Sequence, residues 1–286
     1  MEKFYVLTNC LKDPDMETTK SIRDYLESQG KVCMIQQRPG KNKLHNYKYT
    51  NAALIPPDVD CVLVLGGDGT LLQASRDLVE RNIPLLGINL GTLGYLAEID
   101  RSNIKPALDK LLLDEYEIHE RMMLSGTAYH QNKKLMSDIA LNDIVIGRNG
   151  RLRIIDLNIY VNDEFLNSYS ADGIIISTPT GSTGYSLSAG GPIVSPESEI
   201  IMITPIAPHT LNTRSIVLPH DAKITVEIGE GHSTREGAEA TFDGDTSVNL
   251  NCNDQIVITK ANRCARLVKI NNISFLEILR KKMYQT

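Results

Sequence analysis

The chain has no tryptophan and four phenylalanines in 286 residues. It also has no apolar run near the ~20 residues of a membrane span, so no membrane role is expected. The five cysteines (10, 33, 61, 252 and 264) are scattered and form no Cys-x-x-Cys pair. That spacing indicates neither a disulfide framework nor a zinc site, and a reduced cytoplasm is the expected compartment. Net charge is −5, and without a basic excess a nucleic-acid partner is not expected. His45, His119, His130, His220 and His232 show no metal-ligand spacing, and no repeat or low-complexity segment appears. Met1 to Leu7 reads as the start of a strand, which leaves no expectation of a signal peptide. What remains is an ordinary globular composition, 42% apolar and 23% charged, long enough for two domains.

The most telling stretch is Gly66-Gly67-Asp68-Gly69-Thr70. Before it runs the apolar strand Cys61-Val62-Leu63-Val64-Leu65, and after it a helical pattern from Leu71 to Val79. A strand that breaks into glycines and restarts as a helix leaves free N–H groups at the positive end of the helix dipole. Glycines let phosphate oxygens approach that backbone closely. Gly66, Gly67, Gly69 and Thr70 are therefore the expected phosphate contacts. Asp68 puts a carboxylate in the same cradle, which opposes phosphate unless a metal or a hydroxyl stands between them. The motif reads as phosphoryl-transfer machinery. Because the chain is acidic, placed cations are also needed. Arg148, Arg151 and Arg153 are the densest cluster near a candidate motif, with a solvated turn as the alternative.

The first part alternates strand and helix. Strands are expected at 3–8, 31–35 and 84–89. A helix is expected from Asp13-Pro14 to Gly30, with Asp13 as N-cap and proline in the first turn. Residues 36–58 form a polar stretch too long for an ordinary loop, holding a short helix or moving freely. A second glycine turn is Gly91-Thr92-Leu93-Gly94, and a helix is expected at 104–113. This is a Rossmann-like parallel α/β domain with ligands at the carboxyl ends of its strands. Near Glu117 the pattern turns to short strands, expected at 117–130, 136–145, 153–161, 165–169, 173–177, 200–204, 223–228, 239–242 and 255–259. Asn162-Asp163 and Asp243-Gly244 are the expected hairpin turns. The fold class is thus α/β plus β: an α/β domain of residues 1–122 with 258–286, to which the C-terminal helix returns, and a mostly-β domain of residues 123–257.

A second segment runs from an apolar strand into hydroxyls and glycines: Asp172-Gly173-Ile174-Ile175-Ile176-Ser177-Thr178-Pro179-Thr180-Gly181-Ser182-Thr183-Gly184-Tyr185-Ser186. Read alone, it is a serine-rich turn or a nucleoside pocket with a tyrosine to stack on a base. Together with Gly66-Gly67-Asp68-Gly69-Thr70, Asn142-Asp143, Leu187-Ser188-Ala189-Gly190-Gly191-Pro192 and Pro205-Ile206-Ala207-Pro208-His209, it resembles the NAD kinase family. The motifs stand in the family's order over roughly residues 60 to 220.

The resemblance implies transfer of the γ-phosphoryl group of ATP, or of polyphosphate, to the 2′-hydroxyl of the adenosine ribose of NAD+, at a site between the two domains. A divalent ion, Mg2+, is implied with the donor, and no residues are assigned to hold it. Asp68 is implied as proton acceptor, with Gly69 beside it. Asn142 and Asp143 match the family's asparagine–acid pair on the dinucleotide. Thr183, Gly184, Tyr185, Ser186, Leu187 and Ser188 match the adenosine side. Asp172 matches an acid near the nicotinamide half, where a neighbouring subunit often completes the site. Self-association as a homodimer or homotetramer is implied accordingly. Arg153 and Asp245 fall at contact positions of variable type. Asp143 stands where glutamate is commoner, Gly184 where alanine is frequent, and Asp245 where some members have glutamine. His209 reads equally as a ligand contact or a structural histidine, and Arg214 as a phosphate contact or a structural ion pair. Lipid kinases share the glycine-aspartate-glycine turn, and a non-catalytic dinucleotide sensor could share the fold. The adenosine segment argues against the first, and an intact Asp68 against the second.

Overall fold

In the computed structural model the described residues are 1–36, 50–91, 94–150, 154–210, 213–230, 237–271 and 273–284. Residues 37–49 of the expected polar stretch lie outside them, as do Thr92 and Leu93 of the second glycine turn, Arg151 and Arg153. The chain forms two units, Met1–Glu120 with Ala265–Thr286, and Arg121–Cys264.

The first unit runs β1 (Lys3–Thr8), α1 (Glu17–Ser28), β2 (Val32–Ile35), β3 (Cys61–Gly66), α2 (Asp68–Leu78), β4 (Leu85–Asn89), the short β5 (Ile99–Asp100) and α3 (Ile104–Leu112). β2, β1, β3 and β4 lie side by side in that order, all parallel. Strand side chains alternate between faces, so this sheet is apolar on both. Phe4, Val6, Leu63 and Leu65 pack with Ile22 and Leu26 of α1 and with Leu108 and Leu111 of α3. Tyr5, Leu7, Val62 and Val64 pack with Leu71, Ala74 and Leu78 of α2. Because β1 leads outward to β2 on one side and the chain returns to β3 on the other, the carboxyl ends of β1 and β3 flank the switch point of the winding. Crevices for ligands open at such points.

α1 begins at Glu17 rather than at Asp13-Pro14. Met16 takes the left-handed conformation and breaks the turn before the helix. Asp13 still serves the helix start from further upstream: its carboxylate accepts the N–H groups of Thr18 and Thr19. Gly30, at φ +75°, closes the helix as the sequence predicts.

The second unit is built from antiparallel strands. β6 (Glu117–His130) enters it, and β7 (Lys133–Ala140) pairs with β6. There follow β8 (Asp143–Arg148), β9 (Ile155–Val161), β10 (Glu164–Ala171), β11 (Gly173–Ser177), the one-turn α4 (Tyr185–Ser188), β12 (Ile200–Ile206), β13 (Ile216–Pro219), β14 (Ile224–Ile228), β15 (Ala238–Phe242), β16 (Thr246–Leu250) and β17 (Gln255–Lys269). One sheet has the order β13-β12-β11-β8-β15-β16. β10, β9, β14 and the first part of β17 form another run, and the buried faces of both share one aliphatic core containing Ile144, Ile174, Leu157 and Ile224. Asn162-Asp163 and Asp243-Gly244 are hairpin turns with positive φ at both residues. β17 then carries the chain back to the first unit, where Leu267 pairs with Leu85 of β4 and α5 (Phe275–Tyr284) buries Ile278.

The strand expected at 136–145 is two strands. The chain turns at Leu141-Asn142, and the N–H groups of Leu141, Asn142 and Asp143 are taken by the carboxylate of Asp243 at 2.7, 2.8 and 3.0 Å. A side chain distant in sequence thus supplies the acceptors that end the strand there.

Candidate active site

In the first unit, α2 starts at Asp68, with Gly67 extended as its N-cap. The N–H of Thr70 bonds back to the carbonyl of Gly67. Those of Asp68 and Gly69 make no hydrogen bond among the described residues, so the helix offers two donors at its positive end. The Asp68 carboxylate is turned onto the segment after the second glycine turn. Its Oδ2 accepts the N–H of Tyr95 at 2.7 Å, and its Oδ1 accepts those of Leu96 and Ala97 at 3.2 and 3.1 Å. A methyl group at Gly94 would collide with this carboxylate, so glycine is required there. A carboxylate has about four acceptor positions, and three N–H groups leave one, on Oδ2. Thr70 is buried and its hydroxyl accepts from Asn9 Nδ2 at 3.2 Å, so this expected phosphate contact is part of the scaffold beneath the cradle.

In the second unit, a cavity of about 350 Å³ is lined by Asn142, Asp143, Val145, Tyr185, Thr241, Asp243 and Gly244. The loop after β11 closes over Asn142. Thr178 N–H donates to the Asn142 carbonyl at 2.9 Å, and the Thr178 hydroxyl donates to that of Leu141 at 2.6 Å. Gly181 lies so close to the Asn142 carbonyl that any Cβ would collide with it. The Oδ1 atom of Asn142 is buried without a hydrogen-bond partner among the described residues. A buried acceptor left unpaired costs free energy, so this amide points to a donor that the described residues do not supply. Tyr185 is 48% exposed, with its ring at the cavity edge. Asp143 is 6% exposed. Burial, and secondarily the charge of Asp243, push its carboxyl up to about 7.

The remaining expected residues are spread around this pocket. Thr183 and Gly184 are half-buried, and Leu187 and Ser188 are exposed on α4. Ser186 is fully buried, its hydroxyl against that of Thr204 at 3.2 Å. Asp172 is held by an ion pair to Arg148 Nε at 3.1 Å, so that arginine is engaged at the acid and is not a free phosphate cation. Asp245 and His209 are exposed and line no part of the cavity. Arg214 donates to the Thr213 carbonyl and forms no ion pair with a described residue.

The sequence matches the ATP-NAD kinase N-terminal domain over residues 12–116 and the ATP-NAD kinase C-terminal domain over residues 141–270. The chain belongs to the NAD kinase family. It is 50% identical to an NAD kinase of Lachnospira eligens, over 99% of this chain and all of that one. It is 46% identical to an NAD kinase of Lachnoclostridium phytofermentans, over 99% of both. Among solved structures, a yeast NADH kinase complexed with NADH superimposes with a TM-score of 0.83 at 26% identity, covering 100% of this chain and 89% of that one. An NAD kinase from Archaeoglobus fulgidus in complex with ATP gives 0.76 at 26% identity, covering 99% and 98%.

Within this NAD kinase fold, two residues join the candidate site that sequence reading had left out. Asp243 was legible only as half of an Asp-Gly turn, yet its carboxylate sets the backbone on which Asn142 and Asp143 stand. Lys12 stands beside the cradle, and no motif marks it. Among the described residues no three His, Cys, Asp or Glu side chains gather as a metal site.

Proposed function

We propose that this chain transfers the terminal phosphoryl group of ATP to the 2′-hydroxyl of the adenosine ribose of NAD+, giving NADP+. The observation that carries this reading is Asp68, fixed by three backbone N–H groups with one acceptor position remaining on Oδ2, next to the open N–H groups of Asp68 and Gly69. A hydroxyl that donates to that position has its oxygen aligned to attack phosphorus. The new bond is ribose O–P, the bond broken joins the γ-phosphorus to the ADP oxygen, and the proton passes to the Asp68 carboxylate. Such transfers run through a loose transition state, so orientation and charge neutralisation outweigh covalent help. The N–H groups of the cradle neutralise charge on the phosphates. A divalent ion such as Mg2+ would enter with the donor, held chiefly by the donor's phosphates rather than by a protein cage, and would supply charge neutralisation there.

The cavity of the second unit takes adenosine. Asn142 Oδ1 accepts from the adenine amino group, which removes its unpaired state, and Tyr185 stacks on the base. Asp143, with a carboxyl that titrates near neutrality, serves the ribose as donor or acceptor. Thr183 and Gly184 belong to the adenosine side, and Asp172 serves the nicotinamide half, completed by a neighbouring copy in a homodimer or homotetramer, with Arg153 a further dinucleotide contact. The cytoplasm is the proposed compartment, in keeping with five free thiols.

The test is NADP+ formation by the purified chain with NAD+, MgATP and, in parallel arms, NADH or polyphosphate. NADP+ that depends on ATP and NAD+ supports the reading. Hydrolysis of ATP with no phosphorylated dinucleotide, or no turnover with any donor, would overturn it.

A further inference from the structure

We propose that Lys12 is the cation of the phosphate cradle, binding the phosphoryl groups of the donor with its ammonium group. This rests on the reading that the cradle takes donor phosphates. An acidic chain with a carboxylate already at the cradle needs a placed positive charge there; of the expected cluster, Arg148 is engaged by Asp172, and Arg151 and Arg153 lie outside the described residues.

The topology brings Lys12 into place. It follows β1, and the glycine turn follows β3, the two adjacent parallel strands at the switch point. Asn9 fixes the intervening loop three ways. Its carbonyl accepts the N–H of Lys12 at 2.9 Å, its Oδ1 accepts that of Leu11 at 3.0 Å, and its Nδ2 donates to Thr70 under the cradle. From the other side, Arg101 donates to the Lys12 carbonyl at 3.1 Å. The backbone of Lys12 is therefore anchored to the helix that forms the cradle.

Its side chain reaches across the glycines. A Cβ placed on Gly67 would lie 2.7 Å from Lys12 Nζ, and one on Gly91 would lie 3.3 Å from it. The ammonium thus stands against Gly67 and Gly91, in the space that side chains would fill at other residues. Lys12 Nζ makes no hydrogen bond or ion pair with any described residue. Lys31 pairs with Glu2 and Lys223 with Asp163, whereas Lys133 and Lys134, like Lys12, form no ion pair with a described residue; what sets Lys12 apart is its place against the glycines. A lysine whose backbone is held and whose charge is unmatched, above bare backbone, suits an anionic ligand, and lysine binds phosphate as a point charge.

The experiment varies ATP at saturating NAD+ and NAD+ at saturating ATP, for the parent chain, Lys12→Met, Lys12→Arg and Gly69→Val. Gly69 is the probe of the cradle itself: its Cβ would meet nothing within 4 Å, so valine is tolerated by the fold but intrudes on a phosphate. Lys12→Met is expected to raise the KM for ATP roughly 10- to 100-fold, with the KM for NAD+ and the melting temperature unchanged. Lys12→Arg recovers most of the loss, and Gly69→Val raises the ATP KM as well. If Gly69→Val weakens ATP and Lys12→Met does not, the lysine is idle and the cradle stands. If neither variant touches the ATP KM, the cradle reading itself fails. If Lys12→Met weakens ATP but Gly69→Val does not, the lysine acts elsewhere. Equal rises in both KM values with a lower melting temperature make the lysine structural. Each of these four outcomes overturns the proposal.

Discussion

The two ligand-handling regions are built on opposite plans. The cradle in the first unit consists of backbone and charge: open N–H groups at Asp68 and Gly69, a carboxylate clamped by three amides, and a lysine without a partner among the described residues. Nothing in it reads the shape of a base. The pocket in the second unit consists of buried side chains on a pinned turn: an amide oxygen without a donor, a carboxyl raised towards neutrality and a half-exposed tyrosine. Phosphate is recognised by charge and backbone donors, which any triphosphate or polyphosphate can satisfy. Adenosine is recognised by polar groups that go unpaired when the wrong ligand binds, the arrangement that discriminates most strongly. On the proposed assignment of the two regions, the difference implies a donor choice loosely written in this chain and an acceptor choice tightly written.

Asp68→Asn strikes the cradle at its chemical centre and carries the largest expected effect. Turnover should fall roughly 10²–10⁴-fold, while NAD+ affinity, followed by calorimetry, stays near that of the parent. Unaltered turnover would leave Asp68 as a clamp for residues 95–97 and nothing more.

Gly181→Ala attacks the pocket through its packing. The added methyl group would collide with the Asn142 backbone, its carbonyl first. A loss of about 1–3 kcal/mol in unfolding free energy is expected, together with a raised KM for NAD+. A fully stable variant with parental NAD+ kinetics would show that the loop does not hold Asn142 in place.

Asp143→Asn sharpens the comparison through pH. The native carboxyl, pushed up to about 7, lies above its unfolded value of ~3.9. Its contribution to stability is therefore complete below about pH 4 and is lost as pH rises through about 7. Asparagine removes that loss. Relative to the parent, the variant's melting temperature should climb between about pH 4 and about pH 7 and level off above. A constant difference across that range would mean that Asp143 is an ordinary carboxylate. Ser186→Ala should register least: about 1 kcal/mol for a buried hydroxyl pair, in stability more than in NAD+ affinity, because the hydroxyl faces Thr204.

Local pattern made much of this legible before the structure. The unbroken apolar run Cys61–Leu65 and the glycines after it marked a parallel strand opening onto a helix, and Asn162-Asp163 marked its hairpin. What stayed hidden depends on partners far apart in the chain. Apolar residues on both sides of Leu141-Asn142 read as one strand, because the carboxylate that ends it, Asp243, is about a hundred positions away. Asp13 reads as a local N-cap, but it serves Thr18 and Thr19 across a left-handed Met16. Lys12 carries no signature, since only the winding order brings the end of β1 beside Gly67. Thr70 and Ser186 have the right chemistry for ligand contacts, yet the fold uses their hydroxyls inside.

The division of labour between the regions is tested most directly by Asn142→Ala, with both substrates varied in one NADP+-forming assay. The account predicts a KM for NAD+ raised roughly 10- to 100-fold and a KM for ATP that does not move. A rise in the ATP KM of equal size, or an unchanged NAD+ KM, would contradict the assignment of the adenosine pocket to Asn142.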